Sequence, residues 1–134
     1  MIEDTVSFLL LKAMKATRPA VWPVLAELGL HPGQDLLLSN LWREDGISQS
    51  ELIARLGVEP PTVSKALHRL EGAGYVRREP ANGRGRIVHL TDAGRALQEP
   101  VERAWRQADA DVLGGLDESE RTTLRDLLTR VART

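Results

Sequence analysis

The most constraining feature of this chain lies between Ser48 and Thr91. Two short amphipathic segments there are separated by only three residues, Gly57-Val58-Glu59, and two β-compatible runs follow at once. Ser48 with Glu51 three positions later has the spacing of a capping box: the hydroxyl takes one orphan amide and the carboxylate another. Leu52, Ile53 and Leu56 form the apolar stripe behind it, and Gly57 sits where a left-handed residue ends a helix. The second segment starts at Pro60 and runs to about Ala73. Its Val63, Ala66, Leu67 and Leu70 recur at helical spacing. Its opposite face carries Thr62, Ser64, Lys65, His68 and Arg69. Gly72 and Gly74 close it. The runs Tyr75–Glu79 and Arg86–Leu90 flank Pro80-Ala81-Asn82-Gly83-Arg84-Gly85, which reads as a hairpin with a basic tip.

The flanking sequence is helical. Val6, Leu9, Leu10, Ala13, Met14 and Thr17 share one face. Pro19 and Pro23 each lack an amide hydrogen and crowd the preceding turn. The first helix is therefore predicted to end or bend near Thr17, with a second piece from Pro19 to Leu28, stopped by Gly29. His31-Pro32-Gly33 is a break, followed by a helix over about Pro32–Glu44 with Leu36, Leu37 and Leu41 apolar. Asp45-Gly46 is a turn. Thr91 caps the next helix, with Asp92 complementing its dipole. That helix is predicted to reach about Leu113, bent near Pro100, and Gly114-Gly115 end it. Asp117 and Glu120 begin a last helix to about Val131, with Leu124, Leu127, Leu128 and Val131 on one face. The fold class is mainly α with a small β-hairpin wing.

Composition narrows the functional classes. The chain has no cysteine, which removes disulfides, thiolate metal sites and thiol redox sensing together. Its 134 residues suit one domain with a real core, or a small domain completed by a partner. No apolar run is long enough to span a bilayer, and Lys12 and Lys15 follow rather than precede Phe8–Leu11, so the chain reads as cytoplasmic. Net charge is −1, yet residues 48–95 carry 8 Lys/Arg against 5 Asp/Glu while both flanks are acidic. A binder needs only one basic face. No nucleophile–base pattern, phosphate loop or metal triad is present, so neither an enzyme nor a cofactor is expected. His31, His68 and His89 are scattered over three elements and lack ligand spacing.

Helix, short turn, helix and basic hairpin together match a winged helix-turn-helix. In that arrangement the second helix offers short polar side chains to base edges in the major groove. Pro61, Thr62, Ser64 and Lys65 occupy its first turns, and His68 and Arg69 lie one turn later. Ser48, Gln49 and Ser50 begin the bracing helix, where free amides and hydroxyls suit phosphate oxygens. Arg77, Arg84 and Arg86 lie on the hairpin, and a projecting guanidinium favours the negative minor groove. A winged-helix protein-interaction adaptor without specific DNA binding remains the alternative, because the fold alone does not fix the function.

The order Ser48-Gln49-Ser50-Glu51-Leu52, then Pro61-Thr62-Val63-Ser64-Lys65-Ala66-Leu67-His68-Arg69-Leu70-Glu71-Gly72-Ala73-Gly74-Tyr75-Val76, then Leu90-Thr91-Asp92-Ala93-Gly94 resembles the multiple-antibiotic-resistance regulator (MarR) family. Gly29-Leu30-His31-Pro32-Gly33-Gln34 fits as well, so the resemblance spans essentially the whole chain. It implies one domain over 1–134, with 32–94 as the DNA-binding lobe and 1–31 and 95–134 as dimerization helices. It also implies a homodimer reading a palindromic operator, usually as a repressor released by a small ligand. An aromatic or phenolic effector would sit between the dimerization helices and the lobe, with Arg18, Trp22 and Trp42 as candidate pocket residues. Two positions depart from the family pattern. Asn82 stands where the wing often has Asp, and Glu59 stands where a better helix cap such as Ser is usual.

Overall fold

The computed structural model describes residues 1–83 and 85–133, and is mainly helical. A 3-10 turn at Ile2–Asp4 leads into α1 (Val6–Glu27); α2 is Gln34–Arg43 and β1 is Ile47–Ser48. The helix pair α3 (Gln49–Leu56) and α4 (Pro60–Gly72) follows, then β2 (Val76–Pro80) and β3 (Arg86–Leu90). The chain ends in α5 (Asp92–Ala96), α6 (Gln98–Val112) and α7 (Glu118–Val131). Contacts divide it into two compact units, residues 22–102 and the helical unit formed by residues 1–21 with 103–134. No helix among the described residues is long and apolar enough to cross a membrane.

Two expectations fail at prolines. The first helix does not break at Thr17; α1 runs unbroken through Pro19 and Pro23. The two prolines are four residues apart, so they lie on one face of the helix, and both are exposed. The carbonyls they orphan can then turn to water, while Val21 and Leu25 are 3% and 1% exposed on the other side. At Pro100 the opposite happens. Instead of one bent helix, α5 stops at Ala96 and α6 restarts at Gln98. The Pro100 ring would collide with the carbonyl four residues earlier, which belongs to Ala96, the last residue of α5.

In the unit spanning residues 22–102, three strands form an antiparallel sheet in the order β1-β3-β2. Val76 faces Leu90, Arg78 faces Val88 and Pro80 faces Arg86, while Ile47 pairs with Val88 from the other side. The two-residue strand β1 was not legible in the sequence. Alternation turns Ile47, Val76, Val88 and Leu90 inward, where all are buried against Leu52, Val63, Leu67 and Leu70 of α3 and α4. Burying that many large aliphatic side chains, at about 1.5–3 kcal/mol each, is what holds two such short helices in place. In the helical unit, Ala104 and Ala108 are buried one turn apart on α6. Asp117 begins α7 with a complete capping box to Glu120, at 2.8 and 3.0 Å.

Candidate nucleic-acid interface

The first turn of α3 is set by Ser48. Its backbone is extended and its hydroxyl accepts from the Glu51 amide at 3.1 Å. Only half of the expected capping box forms. The Glu51 carboxylate turns instead to Arg55 at 3.0 Å, which also reaches Glu44 at 3.0 Å. Those two carboxylates, Glu44 first, push the Arg55 guanidinium above its ordinary pKa. Gly57 then closes α3 with φ +63°, a left-handed conformation costly to any other residue.

Along α4 the two faces separate cleanly. Val63, Leu67 and Leu70 are at most 1% exposed. Pro61, Thr62, Lys65, His68 and Arg69 are exposed, and Ser64 is half-buried at the margin. Glu59 occupies the N-cap position in extended conformation but gives no side-chain bond to the helix amides. Ser50 is exposed, and Ser48 and Gln49 are half-buried.

The hairpin β2–β3 is closed by Ala81, whose amide donates to the Gly85 carbonyl at 3.1 Å, with Gly83 and Gly85 both at positive φ. Arg84, the expected tip residue, lies outside the described residues. Strand alternation separates Arg77 from Arg78. Arg77 is exposed and paired with Glu79 at 3.1 Å, and Glu79 also faces His89 at 3.5 Å. Arg78 points inward. Its side chain is only 9% exposed, and it donates to Glu71 of α4 at 3.1 Å and to Gln49 of α3 at 3.4 Å. The backbone amide of Arg78 donates to the second Glu71 oxygen at 3.2 Å. The Arg78 guanidinium holds the Glu71 carboxyl below its ordinary pKa, and exposed Arg86 adds a smaller push in the same direction. Sequence reasoning chose Arg77 and passed over Arg78. The alternating burial of β2 carried the signal, since position 78 falls in phase with inward-facing Val76.

Of the candidate pocket residues, Arg18 and Trp22 lie four positions apart on α1, and Trp42 lies on α2. The Trp42 indole donates to the Gly94 carbonyl at 3.0 Å. A cavity of about 420 Å³ lies beside α4, lined by His31, Leu36, Val58, Lys65, Ala66 and Arg69 among others. None of Arg18, Trp22 and Trp42 lines it.

A brace helix, a second helix with one buried and one polar-basic face, and a three-stranded wing locked to both define a winged helix-turn-helix protein. The sequence model of the MarR family matches residues 30–88. The HTH-type transcriptional repressor Rv2887 of Mycobacterium tuberculosis is 32% identical over 126 residues, covering 92% of this chain and 91% of that protein. The chain belongs to the MarR family. Two crystal structures of Rv2887 superpose on it. One is a complex with DNA, at TM-score 0.77 and 31% identity over 95% of this chain and 97% of that one. The other is a complex with p-aminosalicylic acid, at TM-score 0.74 and 31% identity over 96% and 98%.

Proposed function

We propose that this chain is a homodimeric transcriptional repressor that binds a palindromic DNA operator and releases it on binding a small aromatic or phenolic effector. The observation that carries the DNA reading is the division of α4. Its apolar face is spent on the core, which leaves Thr62, Ser64, Lys65, His68 and Arg69 as a rigid polar-basic surface. Such a helix edge offers hydroxyls and cations to base edges and phosphates. The relative Rv2887, solved with DNA, supports the same assignment.

The dimer rests on the helical unit. A groove of about 520 Å³ there is lined by Leu10, Met14, Val112, Leu124 and Leu128 among others, and Leu127 and Val131 stand 48% and 63% exposed. Apolar surface of that extent on a small chain marks an association site. Effector response is supported by the p-aminosalicylic acid complex of Rv2887 and by the cavity beside α4, where Lys65 and Arg69 accompany apolar walls. That pairing of cations with apolar surface suits an aromatic carboxylate.

Two measurements test the reading. Sedimentation must give a dimer; a monomer at micromolar concentration overturns the palindrome. Selection from a random duplex pool must enrich an inverted repeat with half-sites about one helical turn apart. A protein that enriches no duplex, and is not retained on heparin with a steep salt slope, is instead an interaction adaptor. Addition of p-aminosalicylate to the selected complex then reads out release.

A further inference from the structure

We propose that Arg78 is a positioning residue that turns the side-chain amide of Gln49 outward at the start of α3, where it donates to a backbone phosphate of bound DNA. The proposal rests on the reading of this face as a duplex-binding surface.

The guanidinium of Arg78 is nine-tenths buried and its fork is divided. One terminal nitrogen meets Glu71 of α4 at 3.1 Å; the other meets Gln49 Oε1 at 3.4 Å. An arginine serving only as a structural counter-ion would set both nitrogens on the carboxylate, the stronger bidentate arrangement. Here the second Glu71 oxygen is taken by the backbone amide of Arg78, at 3.2 Å, which leaves the other arm of the fork for Gln49. Nε of Arg78 has no partner among the described residues, so the arrangement is held at a cost.

The chemistry fixes which way Gln49 faces. A guanidinium has donors only, so the atom of Gln49 turned toward it must be the oxygen. The NH₂ group therefore points away from Arg78, and it has no hydrogen-bond partner among the described residues. Gln49 is the first residue of α3, beside the N-cap Ser48 and exposed Ser50. Free helix amides at this end already favour an anion. Arg78 thus links all three elements of the interface: its own strand of the wing, the C-terminal end of α4, and the phosphate-facing end of α3.

The test uses the full-length protein and the duplex it selects from a random pool. Gln49→Met keeps the side-chain shape and removes the donor. Arg78→Lys keeps the charge beside Glu71 and removes the fork. Each is expected to weaken binding about three- to tenfold, the double variant no more than the weaker-binding single. The dependence of log K on log salt should stay unchanged, because a neutral amide releases no counterion. Unchanged affinity in Gln49→Met overturns the proposal. So do losses that multiply in the double variant, which would mean that Arg78 acts on binding independently of Gln49. If Arg78→Lys does not fold, the free wild-type protein decides the question by side-chain amide relaxation. The Gln49 NH₂ must be as ordered as rigid backbone, and an order parameter below about 0.6 overturns the proposal. A wild type that enriches no duplex brings down the DNA reading itself, and this inference with it; a binding wild type with a neutral Gln49→Met brings down the inference alone.

Discussion

The indole N–H of Trp42 donates to the carbonyl oxygen of Gly94 at 3.0 Å, across 52 residues of chain. It ties α2 to the first turn of α5, and Gly94 is itself buried. A Cβ at Gly94 would fall onto the Tyr75 carbonyl oxygen, which already accepts from the Thr91 amide at 3.1 Å. Because that neighbour is backbone, Gly94→Ala is expected to destabilise the protein by about 2–3 kcal/mol, as overpacking does. Trp42→Phe keeps most of the ring and loses the bond, for about 1 kcal/mol. Urea unfolding of both variants checks the order. If Gly94→Ala proves the milder of the two, the close approach to Tyr75 is not what excludes a side chain there.

The Glu71–Arg78 pair gives stability a pH dependence. The Glu71 carboxyl is held below its ordinary pKa by the Arg78 guanidinium, so the folded state binds its proton less readily than the unfolded chain. The contribution is complete above the unfolded value, near 4.5, and is lost as pH falls through the lower folded value. Glu71→Gln is therefore expected to melt below wild type at pH 7, with the gap closing below about pH 4. The Glu71 side chain is 35% exposed, so solvent screens the pair and the gap should be modest. A gap that stays constant from pH 7 to pH 3 would show that the carboxylate charge contributes nothing.

Local signals in this sequence are legible where one residue type has one physical use. Ser48, Gly57, Thr91 and Asp117 each mark a helix end, and each does so in the structure. The apolar stripe of α4 likewise identified its buried face. Proline was harder, because its cost depends on where the orphaned carbonyl points. Pro19 and Pro23 put theirs on an exposed face and α1 continues, whereas Pro100 falls where α5 can end. Arg78 was passed over for a related reason, although strand alternation puts position 78 in phase with buried Val76. As a charged residue next to another arginine it looks like surface, and only its Glu71 and Gln49 partners, 7 and 29 residues away, justify its burial. Strand β1 was missed because two residues carry no periodicity.

Glu59 is a correctable weakness of the helix-turn-helix. It stands at the N-cap of α4 without a side-chain bond to the helix, since its chain is one methylene longer than the good caps. Glu59→Asp keeps the charge that favours the helix dipole and brings an oxygen within reach of the Thr62 amide, the first N–H that Pro60 and Pro61 leave at this end. The variant should gain about 0.5–1 kcal/mol, seen as a higher denaturation midpoint with an unchanged m-value. No gain would mean that the Pro60-Pro61 pair already fixes this end of the helix.

Lys65 decides between base reading and simple charge attraction. It lies on the exposed face of α4, two turns before the helix ends, and also lines the cavity beside that helix. A lysine aimed at guanine O6 and N7 contributes to one sequence only, worth about 1–3 kcal/mol of discrimination. A lysine on phosphate contributes to every sequence and steepens the salt slope by about one unit. Lys65→Ala is expected to weaken binding to the selected duplex by about tenfold while leaving binding to random duplex within about twofold, the signature of a base contact. Equal losses on both duplexes, with a shallower salt slope, would move Lys65 to the phosphate backbone. Sequence discrimination would then rest on Thr62, Ser64, His68 and Arg69 of the same helix.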